Sequence, residues 1–80
     1  MKYTRNEKFI KEFGKRLRLI RKEKGLSQEK LAFLSDLELS QINRIELGKI
    51  NTSLSHVAAI CDALEIQPKL LFEFELSKRK

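Results

Sequence analysis

Eighty residues with 17 basic and 11 acidic side chains, a net charge of +6, make one small domain. A chain of this size buries only about 60–65 % of the surface its unfolded form exposes, so its core is modest and oligomerisation is a common supplement. One cysteine (Cys61) excludes an intrachain disulfide, and with one histidine (His56) it leaves no zinc-binding set; no apolar run reaches the roughly 18–20 residues of a membrane span.

The leading residues MKYTRNEK carry no apolar signal region, so a reducing cytoplasm is the expected compartment. Charge is unevenly spread. Residues 1–24 hold ten basic and three acidic side chains, residues 25–76 four basic and eight acidic, and Lys78, Arg79 and Lys80 close the chain. A basic end on a small domain fits a polyanionic partner, or a merely solvated surface. The acidic middle keeps both readings open.

Phe9, Phe13, Leu17 and Ile20 recur at helical spacing, with Ile10 beside them, and predict a first helix over about 6–24 that Gly25 ends in a left-handed conformation. Ser27 is a good N-cap for a short second helix over about 28–35, with Leu31 and Ala32 facing inward. A tight connection at Asp36-Leu37-Glu38 leads to a third helix over about 39–47, stopped by Gly48. Leu54, Val57, Ala58, Cys61 and Leu64 predict the buried stripe of a fourth helix over about 53–64. Pro68 suits the first turn of a fifth, over about 68–73. There a strand is the rival reading, because Leu70, Phe72, Phe74 and Leu76 alternate with Leu71, Glu73 and Glu75. A short helix followed by an extended apolar tail is the preferred reading, with the final SKRK frayed.

Two short helices joined by a three-residue turn inside an all-helical domain form a helix-turn-helix. Arg21, Gly25-Leu26-Ser27-Gln28, Leu31-Ala32, Ile42, Ile45-Glu46, Gly48, Ser53-Leu54 and Ala63-Leu64 carry a closer likeness. Over about residues 14–72 the chain resembles the XRE-type DNA-binding domains of the lambdoid phage repressors and Cro. The resemblance implies an all-α, five-helix, lambda-repressor-like fold with a short apolar C-terminal tail. It makes residues 1–80 a single domain, with its core at about 7–73, a basic extension at 1–6 and a tail at 74–80.

The resemblance also implies that the third helix enters the major groove, whose base edges distinguish all four base pairs. Ile42 and Ile45 then face the core, while Leu39, Ser40 and Arg44 face the bases, with Gln41 and Asn43 flanking them. Arg44 is the strongest base-contacting candidate, since a guanidinium binds guanine O6 and N7 together. Ser27, Gln28, Arg16, Lys49 and Asn51 fall where phosphate contacts are expected, Gln28 aided by free N–H groups at a helix start. Arg21 and Glu46 are expected as a partly buried structural ion pair. Leu70, Phe72, Phe74 and Leu76 are the candidate dimer contact, and double-stranded DNA is the expected partner, bound by a homodimer.

Several positions depart from that pattern. Asp36 stands where the turn usually has Gly, and Glu38 where Ser or Thr is usual; Glu38 is a weaker cap, a cytosine acceptor or a charge that repels phosphate. Phe33 and Leu34 occupy outward positions of the second helix, so either the N-terminal extension with Tyr3 covers them or a protein partner does. Cys61 is expected to be core and inert, His56 to be surface.

The leading expectation is a sequence-specific transcription regulator, a repressor binding a palindromic operator. An antitoxin that binds its toxin, or the controller of a restriction-modification system, would use the same DNA chemistry. A protein-interaction module with little DNA binding is the reading from a different class. No nucleophile–base pair, metal set or phosphate-binding glycine loop is visible, so neither an enzyme nor a cofactor is expected.

Overall fold

The computed structural model describes residues 4–76. Five helices follow one another: α1 (Glu7–Glu23), α2 (Gln28–Ser35), α3 (Leu39–Glu46), α4 (Leu54–Leu64) and α5 (Pro68–Leu71). There is no strand among the described residues, and no helix long and apolar enough to cross a membrane.

Local chemistry explains where the helices start. Asn6 Oδ1 accepts from the Phe9 N–H at 2.9 Å, Ser27 Oγ from Lys30 at 3.0 Å, and Ser53 Oγ from His56 at 3.1 Å. Each such cap contributes about 1 kcal/mol by satisfying a donor that the helix cannot. The first four helices also end alike. Gly25, Asp36, Gly48 and Glu65 all take positive φ, near 60–70°. After each, the next N–H reaches back to a carbonyl five positions earlier: Leu26 to Arg21, Leu37 to Ala32, Lys49 to Arg44 and Ile66 to Cys61. Two of these left-handed positions are therefore filled by acids rather than glycine. Asp36 was anticipated as a tolerated substitute; Glu65 was not.

The core lies where the helices converge. Leu17, Ile20, Leu31, Ile42, Ile45, Ile60, Leu64 and Leu71 are fully buried. α1 packs chiefly on α3, and α2 on α3 and α4. The α1–α3 approach depends on Gly14, where a Cβ would stand 2.3 Å from the Ile45 carbonyl oxygen and 2.7 Å from that of Glu46.

Two expectations need correction. In α4 the buried stripe is Val57, Ile60, Cys61 and Leu64, whereas Leu54 is 82 % exposed and Ala58 is exposed. Leu54 is the first residue of α4 and overhangs the core's edge. α5 is the second case: it ends at Leu71, and the alternation over 70–76 does not form a strand. A tight turn takes the place of an extended tail, with the Phe74 N–H donating to the Phe72 carbonyl at 2.9 Å. It folds Phe74 back edge-on against Phe9, centroids 5.2 Å apart, while Phe72 lies against Phe13 at 5.1 Å. Phe72 and Phe74 closing on the two rings of α1 remove more apolar surface from water than a strand without a partner would.

Candidate nucleic-acid interface

α3 is presented by its cap and by its buried side. Glu38 is the N-cap, and its N–H donates to Gln41 Oε1 at 3.1 Å in a capping-box arrangement. Glu38 thus has a structural place at the helix start. Gln41 is half-buried and uses its amide oxygen there, which withdraws that atom from the outward face. Ile42 and Ile45 anchor the opposite side in the core. Leu39, Ser40, Asn43 and Arg44 are exposed together, and Arg44 has no ion-pair partner among the described residues.

Beneath this face lies a polar network. Arg21 Nε donates to Glu46 Oε2 at 2.6 Å and Arg21 Nη2 to Glu46 Oε1 at 3.1 Å; both residues are buried. Arg21 Nη1 also donates to the Leu26 carbonyl at 2.7 Å, so one side chain ties α1 to α3 and to the turn before α2. Gln28 extends the network: its Nε2 donates to Glu46 Oε1 at 2.9 Å and its Oε1 accepts from Asn43 Nδ2 at 3.4 Å.

The residues expected at phosphates are placed unevenly. Ser27 is exposed at the start of α2, its Oγ already accepting from the Lys30 N–H. The Lys49 side chain and Asn51 are exposed after α3, and the Lys49 carbonyl accepts from Arg5 Nη2 at 2.9 Å. Gln28 is half-buried with its amide turned into the network, because the Glu46 carboxylate attracts its N–H more strongly than solvent would.

Arg16 is engaged within the protein. Its Nε donates to the Leu70 carbonyl at 2.8 Å and its Nη2 pairs with Glu73 at 3.1 Å, which fastens the C-terminal segment to α1. Two positions along a helix amount to about 200° of rotation. Arg18 accordingly lies on the other side, lining a shallow groove with Arg21, Gln28, Asn43, Glu46 and Leu47. Sequence reasoning did not single out Arg18, although its spacing of three from Arg21 places the two on neighbouring parts of α1.

Phe33 is 77 % exposed with Lys30 Nζ 5.6 Å from its ring centroid, and Leu34 is exposed beside it. Cover by Tyr3 lies outside the described residues. Cys61 is buried, and burial, then the charge of Asp62, pushes its thiol above the ordinary value. His56 is half-buried rather than fully on the surface, with Nδ1 3.3 Å from Thr52 Oγ1. Among the described residues no cluster of His, Cys, Asp and Glu is fit to hold a metal ion.

A family model described as helix-turn-helix matches residues 17–71, spanning α2, α3, α4, α5 and the C-terminal part of α1. The chain belongs to the XRE-type helix-turn-helix family. As such it is a DNA-binding transcription regulator. This helix-turn-helix protein is 48 % identical over 63 residues to the control protein C.BamHI of Bacillus amyloliquefaciens, covering 78 % of each chain. It is 43 % identical over 54 residues to the immunity repressor protein of Bacillus phage phi105, covering 68 % of this chain but only 38 % of that protein. The crystal structure of the restriction-modification controller protein C.AhdI from Aeromonas hydrophila superposes with a TM-score of 0.78 at 48 % identity, covering 79 % of this chain and 96 % of that one.

Proposed function

We propose that this helix-turn-helix protein is a controller-type regulator that binds a two-fold symmetric DNA operator as a homodimer. The observation that carries the reading is the face of α3, where Leu39, Ser40, Asn43 and Arg44 are exposed together above a buried anchor. Arg44 is assigned a guanine, Leu39 a thymine methyl, and Ser40 a base of either kind. Ser27, Lys49, Asn51 and Arg18 are assigned to phosphates, which set register rather than sequence.

The controller version is favoured over the antitoxin version. Two proteins named as controllers match at 48 % identity over most of their own length, and the strand over 70–76 that would suit tail pairing is not formed. For the dimer contact, the apolar hollow lined by Phe9, Leu54, Val57 and Phe72 is a better base than the tail alone. Leu70 and Phe74 are already partly packed on their own core.

Selection of bound sequences from a random DNA pool tests the whole reading. The expected result is a palindromic consensus with half-sites about one helical turn apart. Absence of any enriched sequence overturns it.

A further inference from the structure

We infer that Gln28 sets which hydrogen-bonding atom Asn43 offers to DNA, and that Asn43 thereby reads an exocyclic amine on a base in the major groove. The inference rests on α3 being the recognition helix and deepens that reading.

The argument follows the polarity of three side chains. Glu46 is held by two guanidinium contacts from Arg21, and its carboxylate oxygens can only accept. Gln28 must therefore turn its amide N–H toward Glu46 Oε1, 2.9 Å away. The reversed amide would set oxygen against oxygen beside a buried carboxylate. Once Nε2 is committed, Gln28 Oε1 faces Asn43 and can only accept, so Asn43 must turn Nδ2 toward it, as it does at 3.4 Å. None of the described residues donates to Asn43 Oδ1, and Asn43 is exposed on the outward face of α3.

An untethered Asn is ambiguous, because rotation of its amide exchanges donor for acceptor. The relay from Arg21 through Glu46 and Gln28 removes that ambiguity and leaves an acceptor. In the major groove an acceptor is complemented by the amino group of cytosine (N4) or adenine (N6), and opposed by guanine O6 or thymine O4. Gln28 acts here as a positioning residue, without touching DNA.

A phosphate-bracing Gln28 makes a different prediction. Its loss would weaken binding uniformly over all sequences and leave base preferences intact. Pool selection followed by binding titrations on single-base variants separates the two, using wild type, Asn43→Ala, Gln28→Ala and the double variant. Thermal unfolding confirms that each is folded at the assay temperature.

For wild type, one position per half-site should discriminate among the four base pairs by about tenfold, within the usual range for one specific position. Asn43→Ala identifies that position by abolishing its preference. Gln28→Ala should reduce the preference at the same position below about threefold, and the double variant should match Asn43→Ala there. The rest of the consensus should be unchanged. Uniform weakening by Gln28→Ala with the preference intact overturns the relay, as does an Asn43→Ala variant that keeps every base preference of the wild type. Failure of wild type to select any consensus would instead overturn the DNA-reading assignment itself.

Discussion

Glu46 shows how one side chain is constrained by several neighbours. It is buried, accepts from Arg21 through both oxygens and accepts from Gln28 as well. Replacing it with alanine leaves the Arg21 guanidinium buried with only the Leu26 carbonyl as partner. Removing one member of a buried pair typically costs about 3–5 kcal/mol, a large share of the roughly 5–15 kcal/mol that holds such a domain together. Glu46→Ala should lower the denaturation midpoint by a corresponding amount, read by circular dichroism in urea. Glu46→Gln keeps a carbonyl acceptor for Arg21 and should cost less. Equal losses in the two variants would contradict the assignment. The pair itself was legible in the sequence through a family pattern, but Gln28 as its third member was not. A hydrogen bond spanning 18 positions has no local periodicity to betray it.

Elements repeat this contrast between local and distant causes. Several helix starts and stops were legible because caps act over three or four residues: Ser27, Gly25 and Gly48 are all local signals. The Leu54 error came from an ambiguity of spacing, since Leu54, Val57, Ala58 and Cys61 fit i, i+3, i+4, i+7 as well as Val57, Ile60, Cys61 and Leu64 do. The role of Arg16 was not readable locally, because its partner Leu70 lies 54 positions away. The Gly14 contact is equally non-local and gives a sharp prediction. A Cβ there meets backbone oxygens of α3, which cannot swing aside as a side-chain tip can. Gly14→Ala would gain about 1 kcal/mol of helix propensity on its own. Separation of α1 from α3 should outweigh that gain, with a net loss of about 1–3 kcal/mol. Asp36→Gly should act in the opposite direction. Its φ of 59° is left-handed, and glycine removes that cost. A gain of about 0.5–1 kcal/mol, with α2 and α3 undisturbed, is expected in the same urea titration; a loss would mean that the Asp36 side chain supplies more than the backbone costs.

At the scale of the molecule, the totals conceal how the charge is used. Part of the basic N-terminal third is already occupied: Arg21 is buried on Glu46, and Arg16 is bound to Leu70 and Glu73. The free positive charge on the α3 side is therefore smaller than the sequence total suggests, with Arg18, Arg44 and Lys49 its nearest members. If about five or six phosphates are neutralised by a dimer, log K should fall against log salt with a slope near −5. Arg18→Ala removes one proposed phosphate contact per protomer and should make that slope shallower by about 2. Arg16→Ala should leave it unchanged, because that guanidinium is turned toward α5, although the released C-terminal segment should become more susceptible to proteolysis. The titrations belong at protein concentrations where the oligomeric state is constant, so that loss of tail packing does not enter the slope. Equal flattening by both variants would place Arg16 at the DNA and would mean that its contact with Glu73 opens on binding.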